Sequence, residues 1–215
     1  MAQRKLQNVL ATFERSLYES RRLATDAQRW SSPTKRAKGP HISMKRRDSM
    51  TELAFLRGFL AWETFLEESF VLYLLGQVPP HGSGPKRYVF PPSHRAATEW
   101  IVPEGRRYAR WTVAAEVSER AERIFEHGRP FAPVLRSHQH TLDEARTIRN
   151  AIAHESSSAG ANFDTLVRNK LGALPPGLRI GGFLAATVPT SAPPMSFLES
   201  YLQIVEFAAQ RIIPV

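Results

Sequence analysis

The sequence predicts an all-α protein, and three observations carry that expectation. Apolar residues recur at steps of three and four over long stretches, the period of a helix with one buried face. Ser or Thr stands three residues ahead of Glu at the head of several such stretches, the spacing of a capping box. Strand signal is confined to "YVF" and "LRIGGFL". With 215 residues the chain is long enough for one domain with its own core, so 1–215 reads as a single helical domain. Four to five main helices are expected, with two long proline-rich loop insertions at about 79–110 and 157–195.

The first helix is expected over about Gln3 to Gln28, where Leu6, Val9, Leu10, Phe13, Leu17 and Ala24 form one stripe. "SSPTKRAKGPHIS" interrupts it with prolines, a glycine and cations. A second helix is expected from Ser49, capped with Glu52, to about Leu75, where Gly76 and "VPP" stop it. It is apolar nearly all round and therefore the most buried element. Residues 79–110 hold six of the sixteen prolines and read as irregular. A third helix is expected over Thr112 to His127, ended by Gly128 and Pro130. A fourth starts at Thr141, whose box partner is Glu144, and frays after Glu155. Residues 157–195 carry five prolines, with a short helix near Phe163 to Lys170. The last helix runs from Ser196, capped with Glu199, to about Ile212.

Composition narrows the function. Cysteine is absent, which excludes disulfides, thiolate metal sites and thiol nucleophiles. The N-terminal residues have no apolar core of a signal peptide. The most apolar stretch, Leu53 to Leu75, contains Arg57, Glu63, Glu67 and Glu68, too many charges for a membrane span. A cytoplasmic location without membrane association is the expectation. Net charge is +9, and residues 1–50 hold twelve Lys/Arg against four Asp/Glu. Such a balance favours polyanionic partners, nucleic acid first. Within 79–110, Arg87, Tyr88, Phe90, Arg95, Trp100, Arg106, Arg107, Tyr108 and Arg110 interleave cations with aromatics. Arg87, Arg106 and Arg107 are candidate RNA contacts, with the aromatics stacking on bases. The alternative is a loop that packs its rings onto the helices.

Several motif matches fail. "GSG" at Gly82 lacks a third glycine and a strand–helix frame, so it is no dinucleotide loop. "SPTK" at Ser32 has a serine–lysine spacing but no partner motifs. "SHQHTLDE" places His138, His140, Asp143 and Glu144 close in sequence, but no second cluster completes a metal site. No metal and no cofactor are expected.

The stretch that carries chemistry is "RTIRNAIAHES", starting at Arg146. Leu142, Ala145, Ile148 and Ile152 give its helix an apolar side. Asn150 and His154 are four residues apart and lie about 40° from each other around the axis, on one face that Arg146 extends upstream. Arg149 projects about 140° away from His154, so the two converge more readily across a two-fold axis than within one helix. A histidine with a reference pKa of about 6.5 moves protons at neutral pH. A guanidinium forks onto phosphate oxygens and stabilises developing charge there. These parts suffice for metal-free RNA cleavage by the ribose 2′-OH and leave nothing for hydride or acyl transfer.

At these residues the chain resembles the HEPN domain family, small α-helical bundles of toxins and antiviral defence systems. "RNAIAH" looks like the family's Arg-Asn-x-x-x-His signature, and "GFLAWETFLEESF" resembles the helix that carries an acidic residue, here Glu63. The last helix suits the closing element of such a bundle. The resemblance implies a metal-independent endoribonuclease acting as a homodimer, with a possible antitoxin or defence-system partner protein. His154 is then the general acid/base, Arg149 the phosphate ligand, Asn150 the orienting group and Glu63 a supporting carboxylate. Glu63 read on its own is equally a charge paired with Arg57. Arg146 has no role from the resemblance and is a second phosphate contact or a surface cation. The rival function is a non-catalytic module of the same shape that binds RNA, a nucleotide or a protein.

Overall fold

The structure, a computed structural model, describes residues 5–31, 42–105, 107–154 and 156–215. Among these residues it is all-α, with no strand and only two isolated β-bridges, Arg87 with Phe125 and Thr187 with Ser196. The helices are α1 (Leu6–Ser31), α2 (Met44–Leu74), α3 (His94–Trp100), α4 (Ala114–Ile124), α5 (Phe131–Ser137), α6 (Gln139–Ala153), α7 (Ser157–Leu171), α8 (Ile180–Ala185) and α9 (Phe197–Ile212). A 3-10 turn at Glu126–Gly128 follows α4. Among the described residues no helix is long and apolar enough to cross a membrane.

The stripe of α1 is the one its sequence pattern predicts: Leu6, Val9, Leu10, Phe13, Leu17 and Ala24 are all buried. The start of α2 differs from the expectation. The helix begins at Met44, and the hydroxyl that serves its first turn is Ser43 Oγ, which accepts the Arg46 N–H at 3.3 Å. Ser49 lies inside the helix and donates back to the Lys45 carbonyl at 3.2 Å. Glu52 accepts the Gly181 N–H instead of closing a box. The same correction applies to α6, which starts two residues before Thr141. Its Glu144 is buried and held by Tyr201 and Lys170. A Ser/Thr-x-x-Glu spacing recurs on any helix face, so it marks a start only where the preceding residue is non-helical. At α9 it does: Ser196 Oγ accepts the Glu199 N–H at 3.2 Å.

The segment 157–195, expected to be irregular apart from a short helix near Phe163 to Lys170, contains the fifteen-residue α7, which includes that stretch and starts earlier at Ser157, and the short α8. Ser156 caps α7 by accepting the Ala159 N–H, and Gly172 closes it in the left-handed region at φ +77°, donating to the Arg168 carbonyl. Between them Phe163, Leu166 and Val167 face inward. "LRIGGFL", a strand candidate, is mostly α8. "YVF" forms no strand, although Tyr88 N–H donates to the Ile124 carbonyl at 2.8 Å. The helix α5, between the expected third and fourth helices, had no predicted counterpart.

The chain divides into two compact units. The first comprises Met1–Glu14, Ala61–Asp143 and Ile204–Val215. Its core is aromatic: Phe13 lies 5.0 Å from Phe65, and Phe70 packs on Phe125 at 5.1 Å and on Phe131 at 4.8 Å. The second comprises Arg15–Leu60 and Glu144–Gln203. There Phe183 stacks on Phe197 at 4.4 Å and meets Phe163 edge-on. Gly58 lets Leu202 approach α2, since a Cβ there would stand 2.6 Å from its methyl group.

Candidate functional site

The last turn of α6 is built by a pattern read directly from the chain. Leu142, Ala145 and Ile148 are buried and fix which side of the helix faces the core. The opposite, polar side carries Arg146, Asn150 and His154. The backbone N–H of His154 donates to the Asn150 carbonyl at 2.9 Å, a helical hydrogen bond, so the two side chains share a face as their spacing predicts. Ser156 caps α7, which begins at Ser157.

Between the end of α6 and the start of α7 lies a cleft of about 300 Å³. Arg146, Asn150 and His154 line it from α6; Ser156, Ser158 and Asn162 line it from the α7 side. Among the described lining residues none carries a carboxylate. Arginine, imidazole, amide and hydroxyl groups all offer hydrogen-bond donors, and the first carries a fixed positive charge. The lining therefore suits an oxygen-rich anion. Arg146 and Asn150 are half-buried, whereas Asn162 and His154 are exposed and open to a ligand from solvent.

Arg149 is placed differently. It is not among the residues lining the cleft, in keeping with its angular separation from His154. Its Nη1 instead approaches the Asn150 side-chain oxygen at 3.4 Å, a long contact at the edge of hydrogen bonding. Both arginines bury their Nε atoms, so each stem is held against the protein.

The remaining sequence candidates belong to the first unit. Glu63 is half-buried on α2, with its Oε1 out of solvent. Its alternative partner Arg57 is ion-paired with Glu19. Arg87 is committed to the fold: Nη1 donates to the Leu74 carbonyl at 2.9 Å and the guanidinium lies 4.9 Å from the Phe90 ring centre. Arg107 is exposed. Arg106 lies outside the described residues. Among the described residues no group of three His, Asp or Glu side chains gathers as a metal site, and His138 packs edge-on to Phe207 at 5.7 Å.

No family model, curated protein or solved structure matches the chain. The residues that sequence reasoning missed are Ser156, Ser158 and Asn162. Their signal was present: a serine run, then Phe163, Leu166 and Val167 at helical spacing, then Gly172 as a stop. The five prolines assigned to 157–195 obscured it, because all of them lie beyond α7.

Proposed function

We propose that this chain is a metal-independent endoribonuclease of HEPN-like architecture, a helical bundle elaborated by the proline-rich segments, acting as a homodimer in the cytoplasm. The observation that supports this reading is the cleft in which Arg146, Asn150 and His154 stand together with no carboxylate among the described lining residues. In the proposed reaction the ribose 2′-OH attacks its own phosphorus. The 2′-O–P bond forms as the P–O5′ bond breaks, giving a 2′,3′-cyclic phosphate and a free 5′-OH. His154 takes the 2′-OH proton, and the His154 of a second copy supplies a proton to O5′. Arginine charge stabilises the phosphorane-like oxygens. Glu63 is the supporting carboxylate of this reading, and Arg107 is an RNA contact. A toxin or antiviral defence effector, with an antitoxin or activator as protein partner, is the biological role such an activity serves.

A binding module is the second reading, and one observation favours it. Among the described residues, four of the six exposed large aromatic side chains, Tyr88, Phe90, Trp100 and Tyr108, fall within 88–108, a segment whose sequence also holds Arg95, Arg106 and Arg107. Exposed rings beside arginines suit stacking on single-stranded RNA without any chemistry.

Incubating wild type and His154→Ala with total and transfer RNA in EDTA separates the two. Cleavage by wild type alone, with cyclic phosphate ends, is the expected result. RNA retention in a gel shift without cleavage replaces the nuclease with the binding module. Light scattering gives the homodimer, and a stable monomer at high micromolar concentration removes the two-copy proton relay.

A further inference from the structure

The two arginines of "RTIRN" have different surroundings. Arg146 lines the cleft with Asn150, His154 and Asn162. Arg149 lies off the cleft, and its Nη1 approaches the amide oxygen of Asn150 at 3.4 Å. We infer that Arg146 and Asn162 hold the phosphate of the substrate, and that Arg149 is a positioning residue acting through Asn150. This deepens the nuclease reading and rests on it for the word substrate. The anion seat itself rests on the cleft.

The chemistry follows from the groups present. The Arg146 guanidinium carries a permanent charge and four terminal N–H donors besides its buried Nε. Asn162 adds an amide NH2 from a second helix, so donors approach a bound oxyanion from both walls. A guanidinium at Oδ1 of Asn150 leaves that amide's own NH2 to face the cleft, because the oxygen is the end that accepts. The ligand class is a phosphodiester or a terminal phosphate: compact, anionic and accepting on several oxygens. A carboxylic acid ligand presents only two oxygens to these donors. RNA is favoured over a free metabolite because the cleft is open at exposed His154, which leaves room for a chain to continue.

The probe is a 2′-O-methyl RNA oligonucleotide, which lacks the attacking hydroxyl and cannot be cleaved. Its binding is measured with wild type, Arg146→Gln, Arg146→Lys, Asn162→Ala and Arg149→Ala, with Arg123→Ala as a control for general charge. Cleavage of unmodified RNA is followed in parallel, and thermal melting checks each fold. Arg146→Gln should weaken binding roughly ten- to hundredfold, as loss of a charged hydrogen bond does. Asn162→Ala should weaken it several-fold, and Arg146→Lys should recover part of the loss. Arg149→Ala should bind within about twofold of wild type yet lose kcat with little change in KM, and Arg149→Lys should restore some kcat. Arg149→Ala losing affinity as Arg146→Gln does, or Arg146→Gln matching Arg123→Ala, overturns the assignment. So does a wild type that does not bind the probe. If Arg146→Gln does not fold, Asn162→Ala decides. Arg146-dependent binding without any cleavage keeps the seat and discards the nuclease; cleavage that ignores both Arg146 and Asn162 does the reverse.

Discussion

The Glu52 carboxylate accepts the backbone N–H of Gly181 at 2.9 Å, tying the first turn of α8 to α2. Close approach is what makes the bond possible. A Cβ on Gly181 would stand 2.1 Å from the Asp48 carbonyl oxygen, and backbone cannot give way as a side-chain tip does. Gly181→Ala should therefore lower stability by about 1–3 kcal/mol, the usual cost of forcing atoms into a filled space. Glu52→Gln keeps an accepting oxygen and should cost less. Urea unfolding of the two variants checks the order; an unperturbed Gly181→Ala midpoint means the two helices do not approach as described.

Arg87 and Arg107 should separate in opposite directions. Arg87 closes the C-terminal end of α2 through the Leu74 carbonyl and stacks by Phe90, so its charge is spent inside the fold. Removing it leaves that carbonyl without its guanidinium donor, and Arg87→Ala should cost about 1–3 kcal/mol. Arg107→Ala, on an exposed position, should leave the melting temperature in place and weaken RNA association, more at low salt than at high. Equal stability of the two variants refutes the structural assignment of Arg87.

How much of this was legible depends on what each residue type records. The stripe of α1 and the face shared by Asn150 and His154 follow from periodicity, which reports local geometry, and both could be read from the chain. Of the three capping boxes read from the chain, only Ser196–Glu199 marks a helix start. Ser49–Glu52 and Thr141–Glu144 have capping spacing, yet Glu52 reaches Gly181 and Glu144 reaches Tyr201, more than fifty residues away in each case. A carboxylate's partner across the fold leaves no trace in its neighbours. The cleft was half legible for the same reason. Its α6 wall lay in one motif, while its α7 wall needed the serine run to be recognised as a helix start. Nor does an Arg in a signature reveal whether its guanidinium reaches the cleft or the adjacent asparagine.

Glu144 illustrates the energetic side of such a long-range contact. It is 8% exposed, accepts the Tyr201 hydroxyl at 3.2 Å and pairs with Lys170 at 2.7 Å. A buried carboxylate that loses its cation is costly, whereas one that is replaced by a neutral amide is not. Lys170→Met should therefore destabilise by about 1–3 kcal/mol, less than a fully enclosed pair because the lysine is partly solvated. Lys170→Met combined with Glu144→Gln should recover much of that loss. A double-mutant cycle by chemical denaturation tests it, and strictly additive effects rule the coupling out.

Stability should also fall at alkaline pH, and two phenols set the window. Burial pushes the Tyr73 hydroxyl well above its ordinary range, where it donates to the Ile212 carbonyl at 2.6 Å. Tyr201 is pushed up by burial first and then by the negative charge of Glu144. In the unfolded chain both ionise near about pH 10. Below that value both states hold the phenolic protons and the contribution is complete. Above it the unfolded state releases them while the folded state keeps them, so unfolding is increasingly favoured, by up to about 1.4 kcal/mol per pH unit for each phenol. The loss continues until the folded-state values are reached. Melting followed from about pH 9 to 11.5 should show the decline beginning near about pH 10. Tyr73→Phe and Tyr201→Phe should each flatten its slope, at the expense of some stability at neutral pH from the lost hydrogen bonds. A slope that stays the same in the double variant means that other groups drive the alkaline transition.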